Sequence, residues 1–437
     1  MTAIVNPSHG NVFLRFTEGC CWRRVVDVKL IENFFTSNGW LITADAAAAD
    51  VIILETCAFV RRTEDISIDE INKIVESKYK GTLIVSGCLP GINIDRLREH
   101  FSGSVINTAD LEDFNLLFPQ FKNKLKLFDD PTELFAQKSE QSSLKTIFSV
   151  IRYFKDNFSI SPHYWYKLIR NIRNITYTGM GPGRSKIRYL RVCWGCPEPH
   201  CTFCVEWKAV GSKVISKPFS DIEKEVRENL AEGVRHFAVI ADNPATWGTD
   251  LGGNFTEMLS GILAVNPKII LSNLDGFHPR WLIEHKDTFL ELIKTGRIRS
   301  MMSALQSGNN RILQLMNRGY TREEFISLMS DIRKANSRFV SITQIIVGFP
   351  TETFEEFKES VETVVECGCT NVTLFPFYCN PLTPAATLGG FIGDSEKKRR
   401  IEYALKVLGK NGILSFNVGV EINPKYQKVK AHYDQLR

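Results

Sequence analysis

Along the first hundred residues, short apolar runs alternate with stretches in which hydrophobic residues recur every three or four positions. Asn11–Phe16, Val51–Leu54 and Thr82–Val85 read as strands, and residues 26–37 and 66–75 as amphipathic helices between them. In the first helix Val26, Leu30, Ile31, Phe34 and Phe35 share one face, and Gly39 stands where a left-handed residue ends a helix. Strands separated by helices in this way predict a parallel sheet covered on both faces, a doubly wound α/β domain over residues 1–120.

A second and more regular alternation begins after Lys186. Apolar strands are expected at Ile187–Val192, His236–Ala241, Lys268–Leu274, Ser300–Leu305, Val340–Val347 and Val372–Phe377, each followed by a helical segment. Six such units predict a (βα)6 barrel or partial barrel over residues 186–415. Ser220 with Glu223, Thr321 with Glu324 and Thr353 with Glu356 are spaced as capping boxes that start three of its helices. Between the two domains, residues 121–185 are rich in Lys, Arg and aromatics, as in FSVIRYFKDNF and HYWYKLIRNIRNI. They read as a basic linker with one or two amphipathic helices, their aromatic faces packed on the neighbouring domains. Residues 416–437 read as a short tail.

Composition narrows the class without naming a partner. The chain has 437 residues, 43% of them hydrophobic, and a formal charge of +5, which suits an acidic partner but is no dense basic stripe. No apolar run reaches the roughly 20 residues that span a bilayer, and MTAIVNPSHG lacks the basic and apolar regions of a signal peptide, so a cytoplasmic location is expected. Under reducing conditions the 11 cysteines are not a disulfide framework, and metal binding becomes the leading reading for those that cluster. Cys367, Cys369 and Cys379 lie in or beside apolar periodic segments and are expected to be small core residues.

The remaining cysteines have informative positions. Cys21, Cys57 and Cys88 each follow a strand of the first domain, and in an open parallel sheet the carboxyl ends of strands share one edge, where ligands bind. Thiols far apart in sequence therefore converge there. The segment RVCWGCPEPHCTFCVEW follows the first strand of the second domain, on the face where barrels build their sites. Its four cysteines lack the second knuckle of a structural zinc site, whereas three of them suffice for a cubane iron-sulfur cluster that leaves one iron open.

CTFC preceded by a nearby Cys at the end of a first barrel strand resembles the radical S-adenosylmethionine (SAM) motif, usually CxxxCxxC. Around it the chain resembles the methylthiotransferase family: GCCWRRVVD, ETCAF and SGCLPG match the three segments of that family's N-terminal cluster domain, and ISKPFSDIEKEV, ADNPATWGTD, LQSGNNRILQLMNR and IIVGFPTETFEEF match its barrel. The resemblance extends to about Gly412 and leaves out the basic linker. It implies two [4Fe-4S] clusters, one held by Cys196, Cys201 and Cys204 and the other by Cys21, Cys57 and Cys88, with Cys20 and Cys193 as alternates and His200 a further one. It also implies that Phe203 packs by the adenine of SAM. Gln306 and Asp242, at the ends of the fourth and second strands, are expected to bind SAM or substrate, whereas Arg318 is expected to be a solvated charge at a helix end.

The same resemblance implies reductive cleavage of SAM with an electron from a donor such as flavodoxin or ferredoxin, hydrogen abstraction from an unactivated carbon, and transfer of sulfur, typically as a methylthio group. Three departures stand out: four residues instead of three between Cys196 and Cys201, Glu55 where the family has asparagine, and about two dozen residues after the last helix, too few for the small β-barrel (TRAM) domain of the tRNA and ribosomal-protein members. The last disfavours RNA and favours a small-molecule or peptide substrate. The alternatives are methylthiolation of tRNA or a ribosomal protein, another radical SAM sulfur-insertion or electron-transfer reaction, and a noncatalytic iron-sulfur or zinc protein.

Overall fold

The structure is a computed structural model that describes residues 9–18, 21–128, 187–197 and 201–417. The basic linker beyond residue 128, His200, Cys20 and the tail beyond residue 417 lie outside the described residues. No helix among the described residues is long and apolar enough to cross a membrane.

The first sheet is entirely parallel, in the order β2-β1-β3-β4-β5. Its strands are β1 (Asn11–Phe16), β2 (Leu41–Ile42), β3 (Val51–Thr56), β4 (Thr82–Gly87) and β5 (Ser104–Asn107). Every residue of β3 is buried, as a central strand covered by helices on both faces requires. Helix α1 (Trp22–Ser37) begins four residues earlier than expected, and α2 (Arg61–Glu76) five. Gly39 stands just past α1 with φ +83°, a conformation costly for any residue with a Cβ. The expected face of α1 is buried in two directions. Leu30, Ile31, Phe34 and Phe35 pack with Trp40, Phe114, Phe118 and Phe121, the Phe35 and Phe118 rings meeting edge to face at 4.9 Å. Val26 instead meets Ile240 and Tyr189 of the second domain.

The second sheet is a seven-stranded parallel ladder whose strands follow chain order, apart from a short hairpin. They are β6 (Ile187–Arg191), β9 (His236–Ile240), β10 (Ile270–Asp275), β11 (Ser300–Met302), β12 (Val340–Val347), β13 (Asn371–Pro376) and β14 (Leu414–Asn417). The six expected strands are present, and β14 adds a seventh at the edge. After β6 the chain forms β7 (Cys193–Trp194), paired antiparallel with β8 (Ile215–Ser216), so the cysteine loop is an excursion tied at its base. Thr321–Glu324 and Thr353–Glu356 form capping boxes. Ser220 does not cap: Pro218, whose ring fixes φ near the helical value, takes the N-cap, and the helix starts at Phe219.

A buried ion cluster joins the domains. Arg191, at the end of β6, donates to Asp27 of α1 at 2.6 Å and to the Arg23 carbonyl at 3.0 Å. Arg24 pairs with Asp27 at 2.9 Å and reaches Asp242 at 3.5 Å. Asp242 accepts from the Gly195 amide at 3.0 Å, and Arg23 donates to the carbonyls of Ala241 and Asp242. Trp194 lies under Arg191, 4.2 Å from guanidinium to ring centroid, and its indole donates to the Leu127 carbonyl.

A second buried pair fixes the loop after β12. Gly348 (φ +76°) and Thr351 (φ +67°) turn the chain sharply, and Glu352 accepts from the Gly348 amide and from Arg400 of the helix Asp394–Lys410, both at 2.8 Å.

Breaking a buried pair by removing one partner costs about 3–5 kcal/mol, whereas an exposed pair is worth less than about 1 kcal/mol. In urea unfolding, Arg191→Met should therefore lose stability of that larger order. Arg15→Met, which breaks the exposed pair with Glu70, should lose little; equal losses would remove the distinction. For Glu352, burial pushes the carboxyl up to about 7 against the opposing Gly348 amide and Arg400. An unfolded glutamate ionises near 4.3, so the folded chain loses stability as pH rises from there to about 7, and no further once both states are ionised. The melting-temperature difference, wild type minus Glu352→Gln, should fall by a few degrees between pH 5 and pH 8; parallel curves would refute this.

Candidate functional site

In the first sheet the chain order reverses between β1 and β3, and the crevice at such a switch point is where open parallel sheets bind ligands. Cys57 follows β3 directly, Cys88 follows β4 directly as the first residue of the helix Cys88–Ile92, and Cys21 is the N-cap of α1. Gly87 makes the Cys88 position possible: its φ is +102°, and a Cβ there would collide with the Thr56 backbone. The two strand ends thus close to backbone contact beside the thiols. Cys57 and Cys88 are buried and Cys21 is exposed. Burial pushes the Cys57 thiol up and the Cys88 thiol well up; Cys21 adds to both rises, and Cys57 to that of Cys88, while Arg24 opposes the rise at Cys88. The three sulfurs are therefore within electrostatic reach of one another.

Glu55 is fully buried, and burial followed by the Asp27 charge pushes its carboxyl up to about 8, against Arg24, Ser86 and Arg191. Burial thus favours its neutral form. A neutral carboxylic acid can both donate and accept hydrogen bonds, as an asparagine amide does, which accounts for its standing where asparagine was expected.

In the second domain, Cys201 and Cys204 sit on a pinned turn. The Cys204 amide donates to the Cys201 carbonyl, Thr202 donates through its amide and hydroxyl to the Met316 and Leu315 carbonyls, and the Thr202 carbonyl accepts from Ala385. Phe203 packs against Ile312, Met316, Ile346, Phe349 and Phe377. Burial, then Glu206 and Cys201, push the Cys204 thiol up. Cys196 is half-buried, its amide bound to the Gly211 carbonyl at 3.0 Å, and it follows Gly195, where a Cβ would strike the Lys213 carbonyl. Cys193 lies elsewhere: it is in β7, belongs to the barrel core, and its thiol donates to the Asn243 carbonyl at 3.6 Å. Cys367 and Cys369 are buried in the same core, as expected, but Cys379 is exposed.

The elements that carry the two thiol sets pack on one another. The helix opened by Cys88 packs on the helix Glu206–Val210 that follows Cys204, through Leu89, Ile92, Val205, Ala209 and Val210, and Cys196 lies against the same group. Glu206 contributes to the raised pKa of Cys57, Cys88 and Cys204 alike and is paired with Arg23 at 3.2 Å. Among the described residues no three His, Cys, Asp or Glu side chains stand already in the arrangement of a metal site. The donors nonetheless suit an iron-sulfur cluster: they are soft thiols, and the charge of a bound cluster drives off protons that burial otherwise retains.

Beyond the thiols, buried polar atoms without a partner among the described residues follow four adjacent strands: Oδ1 and Nδ2 of Asn243 after β9, Nε2 of His278 after β10, Oγ of Ser303 after β11, and Oε1 of Gln306 beside β12. An unsatisfied buried group costs about 1–3 kcal/mol, so a polar ligand or ordered water that brings both donors and acceptors would be favoured at this edge. Gln306 also holds φ at +67°, a strain typical of ligand clamps. Asp242 belongs instead to the ion cluster between the domains, its carboxylate engaged by Gly195 and Arg24. Arg318 departs most from expectation. It is buried, not solvated, and donates to Cys201 Sγ at 3.2 Å. The helix-end pattern around it gives no hint of this contact; only the fold brings it to the cysteine loop.

Comparison with known proteins places these observations. The Radical SAM superfamily matches residues 192–364, and the Uncharacterized protein family UPF0004 matches residues 14–107. The ribosomal protein uS12 methylthiotransferase RimO of Clostridioides difficile is 26% identical over 430 residues, 95% of this chain and 84% of that protein. The tRNA-2-methylthio-N(6)-dimethylallyladenosine synthase of Aquifex aeolicus is 28% identical over 93% of this chain and 84% of its own. The threonylcarbamoyladenosine tRNA methylthiotransferase MtaB of the same organism is 27% identical over 87% and 84%. Among solved structures, the radical SAM methyltransferase TsrM of Kitasatospora setae superposes with a TM-score of 0.56 at 13% identity, over 86% of this chain and 75% of that one; at such identity the likeness is one of fold. The two domain matches, with methylthiotransferase relatives aligned across most of its length, are those of a radical SAM methylthiotransferase.

Proposed function

We propose that this enzyme methylthiolates an unactivated carbon of a macromolecule of the translation machinery, with tRNA as the first candidate. The observation that carries the reaction is the packing of the helix after Cys88 on the helix after Cys204, with Cys196 against the same group and Glu206 acting on thiols of both sets. Cys196, Cys201 and Cys204 would hold one [4Fe-4S] cluster, and Cys21, Cys57 and Cys88 the other. When bound, these clusters supply the electron that cleaves SAM and the sulfur that is transferred. The chain's own part is placement. The pinned 201–204 turn holds two thiols and Phe203 against the end of β12, and Gln306, with the unpartnered groups beside it, matches the amine, carboxylate and hydroxyls of SAM. Asp242 and Arg191 hold the second cysteine set at a fixed distance, and the apolar packing of the helix after Cys88 keeps water from the space between.

The acceptor moves away from the small molecule or peptide expected from the sequence. Each relative named above acts, by its name, on tRNA or on a ribosomal protein. The earlier expectation rested on the short stretch after the last helix, which says nothing about what the crevice accepts. Two of those three relatives act on tRNA by name, and the tRNA is therefore placed ahead of the ribosomal protein.

Anaerobically reconstituted protein should bind about eight irons per chain and cleave SAM to 5′-deoxyadenosine. Cys196→Ala should abolish cleavage, and Cys193→Ala should leave it intact, since its thiol is spent in the core. Cys57→Ala should retain cleavage and lose sulfur transfer. Mass spectrometry of tRNA nucleosides and ribosomal proteins from a strain lacking the protein tests the acceptor. Loss of a methylthio nucleoside supports the tRNA reading, loss from a ribosomal protein replaces it, and no change in either refutes both.

A further inference from the structure

Arg318 stands 117 residues from Cys201 in the sequence, yet its guanidinium is fixed against the thiol on three sides. Nη1 donates to Cys201 Sγ at 3.2 Å, Nη2 to the Ala304 carbonyl at 2.9 Å, and Nε to the Tyr320 hydroxyl at 3.3 Å. The Tyr320 hydroxyl is itself anchored, donating to the Leu305 carbonyl at 2.6 Å. Arg318, Cys201 and Tyr320 are each less than 8% exposed. The guanidinium also lies 5.9 Å from the ring centroid of Phe203, inside the cysteine turn.

None of these three acceptors is a carboxylate, so none cancels the charge. His278, whose ring meets that of Tyr320 at 6.0 Å, adds no second cation: burial, then Arg318 and Arg280, hold its pKa well below the usual value. One fixed positive charge is therefore presented to one cysteine sulfur through a hydrogen bond. Reduction of a cluster adds negative charge, and a cation with an N–H···S bond in a dry site favours the more negative state. Arginine suits this better than lysine because its planar fork makes all three bonds at once.

We propose that Arg318 is a positioning residue that raises the reduction potential of the cluster at Cys196, Cys201 and Cys204, bringing it within reach of a low-potential one-electron donor. This rests on the reading of those three cysteines as cluster ligands. The couple is a simple one-electron reduction of the cluster, with the donor oxidised by one electron, and Arg318 neither gains nor loses a proton.

The test uses the full chain carrying Cys57→Ala and Cys88→Ala, so that a single cluster remains, titrated anaerobically with dithionite and followed by electron paramagnetic resonance. This background should hold about four irons per chain. Arg318→Met in it should lower the reduced-to-oxidised ratio at the background's midpoint at least tenfold, a shift of 59 mV for one electron. Tyr320→Phe, which frees Nε but keeps the ring packing, should shift the midpoint in the same direction by less, and it decides the matter alone if the Met variant does not load iron. A loaded variant with unchanged midpoint overturns the proposal while leaving the ligand assignment standing. A background protein that binds no iron sinks the ligand assignment, and the proposal with it.

Discussion

The pairing of Asp27 with Arg191 and Arg24 at the start of α1 is the constraint on which the rest of the arrangement depends. These groups are nearly devoid of solvent, and a charge in such a place is tolerated only when paired and hydrogen-bonded. An apolar junction could slide by an ångström at small cost. A junction of buried ions cannot, because each displaced partner leaves a desolvated charge behind. The carboxyl edges of the two sheets are thus held in one register. That register places Cys21, two residues before Arg23, together with Cys57 and Cys88 across from Cys204, and it lets Arg23 reach Glu206 between the sets.

The elements of this fold are largely legible in the sequence because most core strands are short apolar runs and most long helices carry an apolar face. The strands that escape notice are β2, β5, β7, β8 and β14, of two to four residues, where edge position and partner strands decide, not local pattern. The helix Cys88–Ile92 escapes for another reason: CLPGI contains both Pro and Gly, the residues least compatible with a helix interior. It forms because Gly87 redirects the chain and the helix buries Leu89 and Ile92 against the second domain. Tertiary packing overrides propensity there.

The candidate site divides in the same way. That Cys57 and Cys88 meet at one edge follows from strand position alone. That Cys193 is a core residue follows from a two-residue strand, β7, which no periodicity reveals. Asp242 and Arg318 exchange the kinds of role expected of them, the first bound into the junction and the second turned onto a cysteine. Their decisive partners, Arg24 and Cys201, lie more than a hundred residues away in sequence. A charged side chain does not carry in its neighbours the information that it will be buried; only the long-range fold supplies it.

Burial acts on two kinds of group here. It favours the neutral thiols of Cys57, Cys88 and Cys204, and it leaves donors and acceptors of Asn243, His278, Ser303 and Gln306 without partners among the described residues. The neutral thiols are at ease in such a place, whereas the unpaired polar groups are unfavourable in the protein alone and would be relieved by a polar ligand. Metal binding releases the thiol protons and gains from the low dielectric that had penalised the thiolates. A crevice satisfied by its own side chains would fold more stably and bind less, and the strained Gln306 backbone stands at the same edge for the same reason.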